Sequence, residues 1–134
     1  MIQTSDLLCI HKGKKVFIVD DEPLLVDLAE SILGAEGFNI TTFHDPRIVL
    51  EAITNAESKP ALLITDGVMG SIDGLELIEK CRQIVPKIRT LLLSGTVDDS
   101  YLAAHPIKPD RFLRKPYQAR ALLERVRDLL GSTD

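Results

Sequence analysis

Four apolar runs punctuate the chain: KVFIVD over 15–20, ALLITD over 61–66, TLLLSG over 90–95 and RFLRKP over 111–116. The first three are nearly continuous in valine, isoleucine and leucine, as expected of parallel strands covered on both faces. A weaker alternating segment, FNITTF over 38–43, predicts a fifth strand near a sheet edge. Between these runs the apolar period becomes that of a helix. In 23–36, Leu24, Leu28 and Ile32 form one i,i+4 row and Leu25, Ala29 and Leu33 the next. Pro23 stands at the first helical position there, and Gly37 supplies the stop. Residues 46–56 open with an Asp45 cap before Pro46 and carry Ile48, Val49, Ala52 and Ile53. Residues 74–85 set Leu75, Ile78 and Val85 on one side and stop before Pro86. Residues 117–130 turn Ala119, Leu122, Leu123, Val126, Leu129 and Leu130 inward and Arg120, Glu124, Arg127 and Asp128 outward, ending at Gly131. Between 96 and 110 only a short helix fits, because Pro106 and Pro109 break whatever starts at Asp98.

Strand and helix thus alternate five times, which predicts an open α/β sheet with right-handed crossovers. Ligands of such sheets bind outside the carboxyl ends of the strands, at the topological switch point. The residues at those ends are Asp20-Asp21-Glu22, then Asp66, Ser94-Gly95 and Lys115-Pro116. Carboxylates converging on one crevice repel, so the cluster must lose a proton or gain a cation. Oxygen ligands in this number suit a hard divalent ion such as Mg²⁺. A metal, a lysine and a hydroxyl donor together suit a dianionic phosphoryl group. Asp66, alone at the tip of a central strand, is the candidate nucleophile toward phosphorus.

Over roughly residues 14 to 130 the chain resembles the receiver domain of two-component response regulators. The matching pieces are VFIVDDEP (16–23), LLITDGVMGSIDGLEL (62–77), LLLSG (91–95) and FLRKPY (112–117). All four in order, each closing a predicted strand, carry the likeness. It implies a five-stranded parallel sheet of order 2-1-3-4-5, flavodoxin-like, with helices on both faces. It divides the chain into an N-terminal extension (1–13), a receiver domain (14–131) and a C-terminal tail (132–134). It implies that Asp66 accepts a phosphoryl group from a sensor histidine kinase or phosphotransfer protein, catalysing its own phosphorylation with Ser94 and Lys115. Asp21 and Asp66 would bind Mg²⁺ directly, Asp20 through water, and the carbonyl of Val68 would complete the protein ligands. Ser94 and Phe112 would form the switch, with residues of about 97 to 130 as the surface presented to a downstream protein target. Val68 and Thr96 hold the positions that tune hydrolysis of the acyl phosphate, and Val68 has no polar group to place a water, which implies slow self-dephosphorylation. The sequence departs from the family at Gly70, where proline is usual, and at HPIKPD (105–110), which replaces an alanine-glycine lead into the last strand. A monomer or weak dimer is the corresponding expectation.

Composition narrows the alternatives. The chain has 134 residues, a formal net charge of −4, 4% aromatic residues and no tryptophan, which argues against a nucleic-acid footprint. No apolar stretch approaches the length of a membrane span, and no signal-peptide core is present, so a cytoplasmic location is expected. Cys9 and Cys81 have no metal spacing, and Cys81 reads as a small buried residue. His11, His44 and His105 read as solvent-side. Asp73-Gly74 reads as a helix start. The last helix ends close to residue 134, which leans toward a stand-alone regulator over a receiver cut from a longer chain. Two function classes remain: a phosphorylation-controlled signalling module, and a receiver-like scaffold that binds partners without phosphorylation. A small metal-dependent phosphohydrolase is a distant third, since the acceptor loop offers no second general acid.

Overall fold

Each apolar run becomes a strand and each helical repeat a helix. The computed structural model describes residues 14–67, 72–95 and 99–131, without side-chain detail at 99–101. In chain order the elements are β1 (Lys15–Val19), α1 (Pro23–Gly34), β2 (Asn39–Phe43), α2 (Pro46–Asn55) and β3 (Leu62–Asp66). They continue with α3 (Gly74–Ile84), β4 (Arg89–Ser94), α4 (Asp99–Ala104), β5 (Arg111–Arg114) and α5 (Ala119–Leu130). All strand pairings are parallel and the order is β2-β1-β3-β4-β5, the predicted one. The alternating segment FNITTF supplies the edge strand β2, as expected.

The period of two in each strand divides the core between the two faces of the sheet. Val16, Ile18, Leu62, Ile64, Leu91 and Leu93 face Ala29 and Leu33 of α1 and Leu122 and Val126 of α5. Phe17, Val19, Leu63 and Leu92 face Val49 and Ile53 of α2 and Leu75 and Ile78 of α3. Every residue of β3 is buried, which is why its sequence is continuous rather than alternating. Burying each such leucine or isoleucine contributes about 1.5–3 kcal/mol, so the centre of the sheet is a rigid base for whatever its tip carries.

The helix starts follow the sequence. Asp45 accepts from the Arg47 amide before Pro46, and Asp73 accepts from the Glu76 amide at 2.8 Å. Three details differ. In the α1 row Leu24–Leu28–Ile32 only Ile32 packs against the core: Leu24 is 82% and Leu28 48% exposed, while Val26, Ala29 and Leu33 are buried. In α2, Ile48 is likewise exposed. The last helix begins at Ala119 rather than 117, and Ala119, predicted inward, is exposed in its first turn. Between α4 and β5 the departing segment HPIKPD supplies its own caps. Lys108 Nζ donates to the Leu102 and Ala103 carbonyls at the end of α4, and the Ile107 amide donates to His105 Nδ1. His105 is therefore half-buried rather than solvent-side.

Candidate functional site

Parallel strands all point one way, so β1, β3, β4 and β5 deliver their last residues to a single rim. Asp20 follows β1; its amide donates to the Phe43 carbonyl, and its Oδ1 accepts from the Glu22 amide at 3.0 Å, fixing the turn into α1. Asp66 closes β3, and its Oδ1 accepts from the Gly67 amide at 2.8 Å. The same Gly67 amide reaches the Leu93 carbonyl of β4, tying the loop to the sheet. Asp20, Asp21 and Asp66 each place a carboxylate oxygen within 4.8 Å of the others, with Asp20 and Asp66 buried and Asp21 exposed.

Lys115 arrives from beyond β5, just before a cis peptide bond to Pro116. Its Nζ lies 2.8 Å from Asp20 Oδ2 and 3.3 Å from Asp66 Oδ1. Desolvation, then the nearby charge of Asp20, raise the Asp66 pKa, and the Lys115 charge and the Gly67 amide offset only part of this. Burial works against the Lys115 ammonium, but its hydrogen bond to Asp20 and the charges of both acids prevail, and its pKa is raised. Three carboxylates against one ammonium leave an excess of negative charge. Hard oxygen donors in such a set fit a small divalent cation, and Lys115 already shows that the cluster takes positive charge.

Ser94, the last residue of β4, is buried, and its carbonyl accepts from the Lys115 amide at 3.1 Å. Phe112 lies half-buried on β5 against the α2–α3 side of the core. The Arg114 guanidinium sits 5.8 Å from its ring centroid, and Arg125 Nε donates to its carbonyl. The structure thus brings together Asp20, Asp21, Asp66 and Lys115, sets Ser94 on the neighbouring strand end, and holds Phe112 farther down β5. Val68, Gly70 and Thr96 lie outside the described residues.

Two participants were not read from the sequence as such. Gly74, expected only as a helix start, is wedged against the acceptor: a Cβ there would lie 2.3 Å from the Asp66 carbonyl oxygen. Its amide donates to the Gly67 carbonyl at 2.9 Å, so α3 buttresses the Asp66 turn directly. Tyr117 belongs to the quoted FLRKPY motif, but nothing in the pattern assigned its hydroxyl, which is buried without a hydrogen-bond partner among the described residues. With Glu22, Leu25, Leu28, Lys115 and Pro116 it lines a cleft of about 370 Å³ beside the acid cluster. His44, exposed as expected, brings its Nδ1 to 3.4 Å from the Asp20 carbonyl.

Comparison with known proteins agrees with this geometry. Residues 16–127 match the response regulator receiver domain family. The chain is 32% identical over 120 residues to the transcriptional regulatory protein TrcR of Mycobacterium tuberculosis, covering 87% of this chain and 45% of that protein. It is 29% identical over 124 residues to the alkaline phosphatase synthesis transcriptional regulatory protein PhoP of Bacillus subtilis, covering 91% and 50%. The DNA-binding transcriptional regulator NtrC of Escherichia coli K12 is 32% identical over 115 residues, 83% of this chain and 24% of its own. The chain therefore spans about half or less of the length of these relatives. Among solved structures, a CheY-like response regulator receiver domain protein from Methanospirillum hungatei superposes with a TM-score of 0.78 at 25% identity, covering 86% of this chain and 91% of that one.

Proposed function

The chain belongs to the response regulator receiver domain family, and on that premise we propose that it is a phosphorylation-controlled signalling module whose acceptor is Asp66. The reading takes residues 14–131 as the receiver, 1–13 as an extension and 132–134 as a tail. The observation that carries it is the Lys115 ammonium held between Asp20 and Asp66 at the rim of a fully buried strand. A capping acid needs no such cation, whereas an acceptor of a dianionic group does.

In the proposed step a free oxygen of the Asp66 carboxylate attacks the phosphorus of a partner's phosphohistidine. The new O–P bond forms as the N–P bond breaks, its electron pair stays on the imidazole nitrogen, and that nitrogen takes up a proton. Asp66 Oδ1 remains oriented by the Gly67 amide, which leaves Oδ2 for attack. Lys115, already within 3.3 Å of Asp66, follows the charge onto the phosphoryl oxygens, and Ser94 on the next strand end offers a hydroxyl to the same group. Asp20, Asp21 and Asp66 would hold Mg²⁺, with the Val68 carbonyl as a further ligand; when bound it screens the carboxylates and the incoming phosphoryl from one another. Slow self-dephosphorylation belongs to the same reading.

The donor must reach Asp66 past α1. The exposed Leu24 and Leu28 and the adjoining cleft give a kinase or phosphotransfer protein an apolar landing beside the acceptor. A downstream protein target would read the Phe112 side, where Arg114 and Arg125 lie against the half-buried ring and its backbone. For the residues described here, protein rather than nucleic acid is the proposed partner; DNA binding is in the name of NtrC, a longer protein. Among the described residues no helix is long and apolar enough to cross a membrane, consistent with the proposed cytoplasmic location. The intact acid cluster and lysine favour this reading over a phosphorylation-independent scaffold.

Incubation with Mg²⁺ and acetyl phosphate, read by intact-protein mass spectrometry, tests the proposal. The wild-type chain gains one phosphoryl mass, and Asp66→Asn abolishes the gain. A gain that survives Asp66→Asn, or none at all in the wild type, overturns it.

A further inference from the structure

At the end of the sheet opposite the acid cluster, the starts of β3 and β4 and the end of α5 enclose a groove of about 400 Å³. Pro60, Val85, Ile88 and Leu129 contribute to its apolar lining, and its rim carries Lys14, Lys59, Lys87 and Arg89. No carboxylate is among the described lining residues, in a chain whose formal net charge is −4. Lys14 Nζ donates to the Leu130 carbonyl at 2.8 Å, and Lys59 Nζ to the Ile53 and Thr54 carbonyls, which holds both ammonium groups in place. Lys87 and Arg89 are exposed, and neither side chain has a hydrogen bond or ion pair among the described residues. A surface of this composition is complementary to an apolar side chain flanked by carboxylates.

The first turns of α1 present that chemistry. Leu24 is 82% exposed, and Leu28, one turn on, is exposed beside it. Asp27 and Glu30 are exposed next to this apolar stripe, and neither carboxylate has a hydrogen bond or ion pair among the described residues. No lysine or arginine occurs between Lys15 and Arg47, so α1 carries no cation of its own to answer these acids. Leu24 stands where the strands end and the groove lies where they begin, so one copy cannot seat its own Leu24 in its own groove. An apolar knob and a pocket elsewhere on the same molecule make a heterologous contact, which repeats head to tail instead of closing. We propose that α1 of one copy docks on this groove of the next, with Leu24 on the apolar lining and Asp27 and Glu30 toward Lys87 and Arg89. The contact is small and its charges are at the rim, so it is weak and sensitive to salt. Leu24 and Leu28 are also the donor's landing in the proposed function, so a docked copy withholds that landing from a phosphodonor protein. The contact itself does not depend on that function.

Analytical ultracentrifugation of the full chain over a concentration series tests this. The weight-average mass of the wild type is that of a monomer at micromolar protein, rises at millimolar protein, and falls back at high salt. Asp27→Lys/Glu30→Lys alters only the knob side and Lys87→Glu/Arg89→Glu only the groove side, and each variant alone stays monomeric. Leu24→Ser stays monomeric as well. An equimolar mixture of the two charge variants associates again, because the acidic α1 of one meets the basic groove of the other. Acetyl phosphate labelling of Asp66 is unchanged by Lys87→Glu/Arg89→Glu, so this inference and the proposed function fail separately. A wild type that stays monomeric at millimolar protein would overturn the inference, as would a mixture that stays monomeric. Association that persists in any one variant alone would assign it to another surface or to a self-matching contact, and overturn the inference equally.

Discussion

Asp66 carries a cost at neutral pH that its neighbours only partly offset. Its pKa is raised by burial and by Asp20, so between the unfolded and folded values the native state binds more protons than the unfolded chain. Stability from this group therefore falls as pH rises through that window and is regained as pH drops below it. Asp66→Asn removes the repulsion while Lys115 keeps Asp20, so this variant is expected to be more stable than the wild type at pH 7. The gain should vanish at pH values where Asp66 is protonated; equal melting temperatures of the two proteins at pH 7 would count against it. Gly74 gives the opposite case. Its missing Cβ makes room for the Asp66 carbonyl, and Gly74→Ala is expected to cost about 2–4 kcal/mol. Gly34, at the end of α1, is the control, because a Cβ added there would meet nothing within 4 Å. Gly34→Ala should stabilise by about 0.5–1 kcal/mol. Urea unfolding of both variants reads the difference. The acids and Lys115 were legible because each ends an apolar run, and a charge there stands out. Gly74 and the Tyr117 hydroxyl were not, because their roles depend on distances between elements that no spacing records.

Elements meet at a partly buried polar junction at the end of the sheet opposite the acceptor. The Asp110 carboxylate accepts from the Thr90 amide at 2.8 Å and from its hydroxyl at 3.0 Å, and the Asp110 amide donates back to the same hydroxyl. Arg82 of α3 donates to Thr90 Oγ1 and lies 3.5 Å from Asp110. This reciprocal pair joins the first turns of β4 and β5, and Thr90 is fully buried. Asp110→Ala would strand the Thr90 amide and leave the Thr90 hydroxyl proton without its acceptor, and a loss of about 1–3 kcal/mol is expected. Phosphorylation of Asp66 should survive in the folded fraction; the urea midpoint and mass shift measured together separate the two effects. From the sequence, HPIKPD was visible as a helix breaker and as a departure from a family pattern. In the structure its charges and ring are caps and a clasp, each made to a partner remote in sequence or defined only by the turn. For α1 the same limit applied in reverse: two aliphatic rows were evident, but periodicity does not say which row the sheet covers, and Leu24 and Leu28 lie outside.

At the scale of the molecule, charge is sorted by the direction of the strands. Acids gather where the strands end, and lysines and arginine rim the groove where β3 and β4 begin. A cation that binds the acid cluster of the folded chain alone should raise stability by mass action, about 2.7 kcal/mol at a hundredfold excess over its dissociation constant. Mg²⁺ is expected to raise the melting temperature of the wild type and to do so far less for Asp20→Asn/Asp21→Asn. An identical Mg²⁺ response in both would remove the acid cluster as the metal site. The sheet order and the two-faced core were legible because alternation and run length report burial directly. The sorting of charge was not, since the rim cations are scattered from residue 14 to residue 89 and only the fold collects them.

The bond from Lys14 to the Leu130 carbonyl has a topological meaning as well as a local one. It clasps the entry of the chain into the sheet to its exit from the last helix, at the end remote from Asp66. Entry and exit so close together make the unit a cassette. Neighbouring segments of a longer polypeptide can be spliced on at that end, or the two points joined and the chain reopened elsewhere, without rerouting any strand past the acceptor.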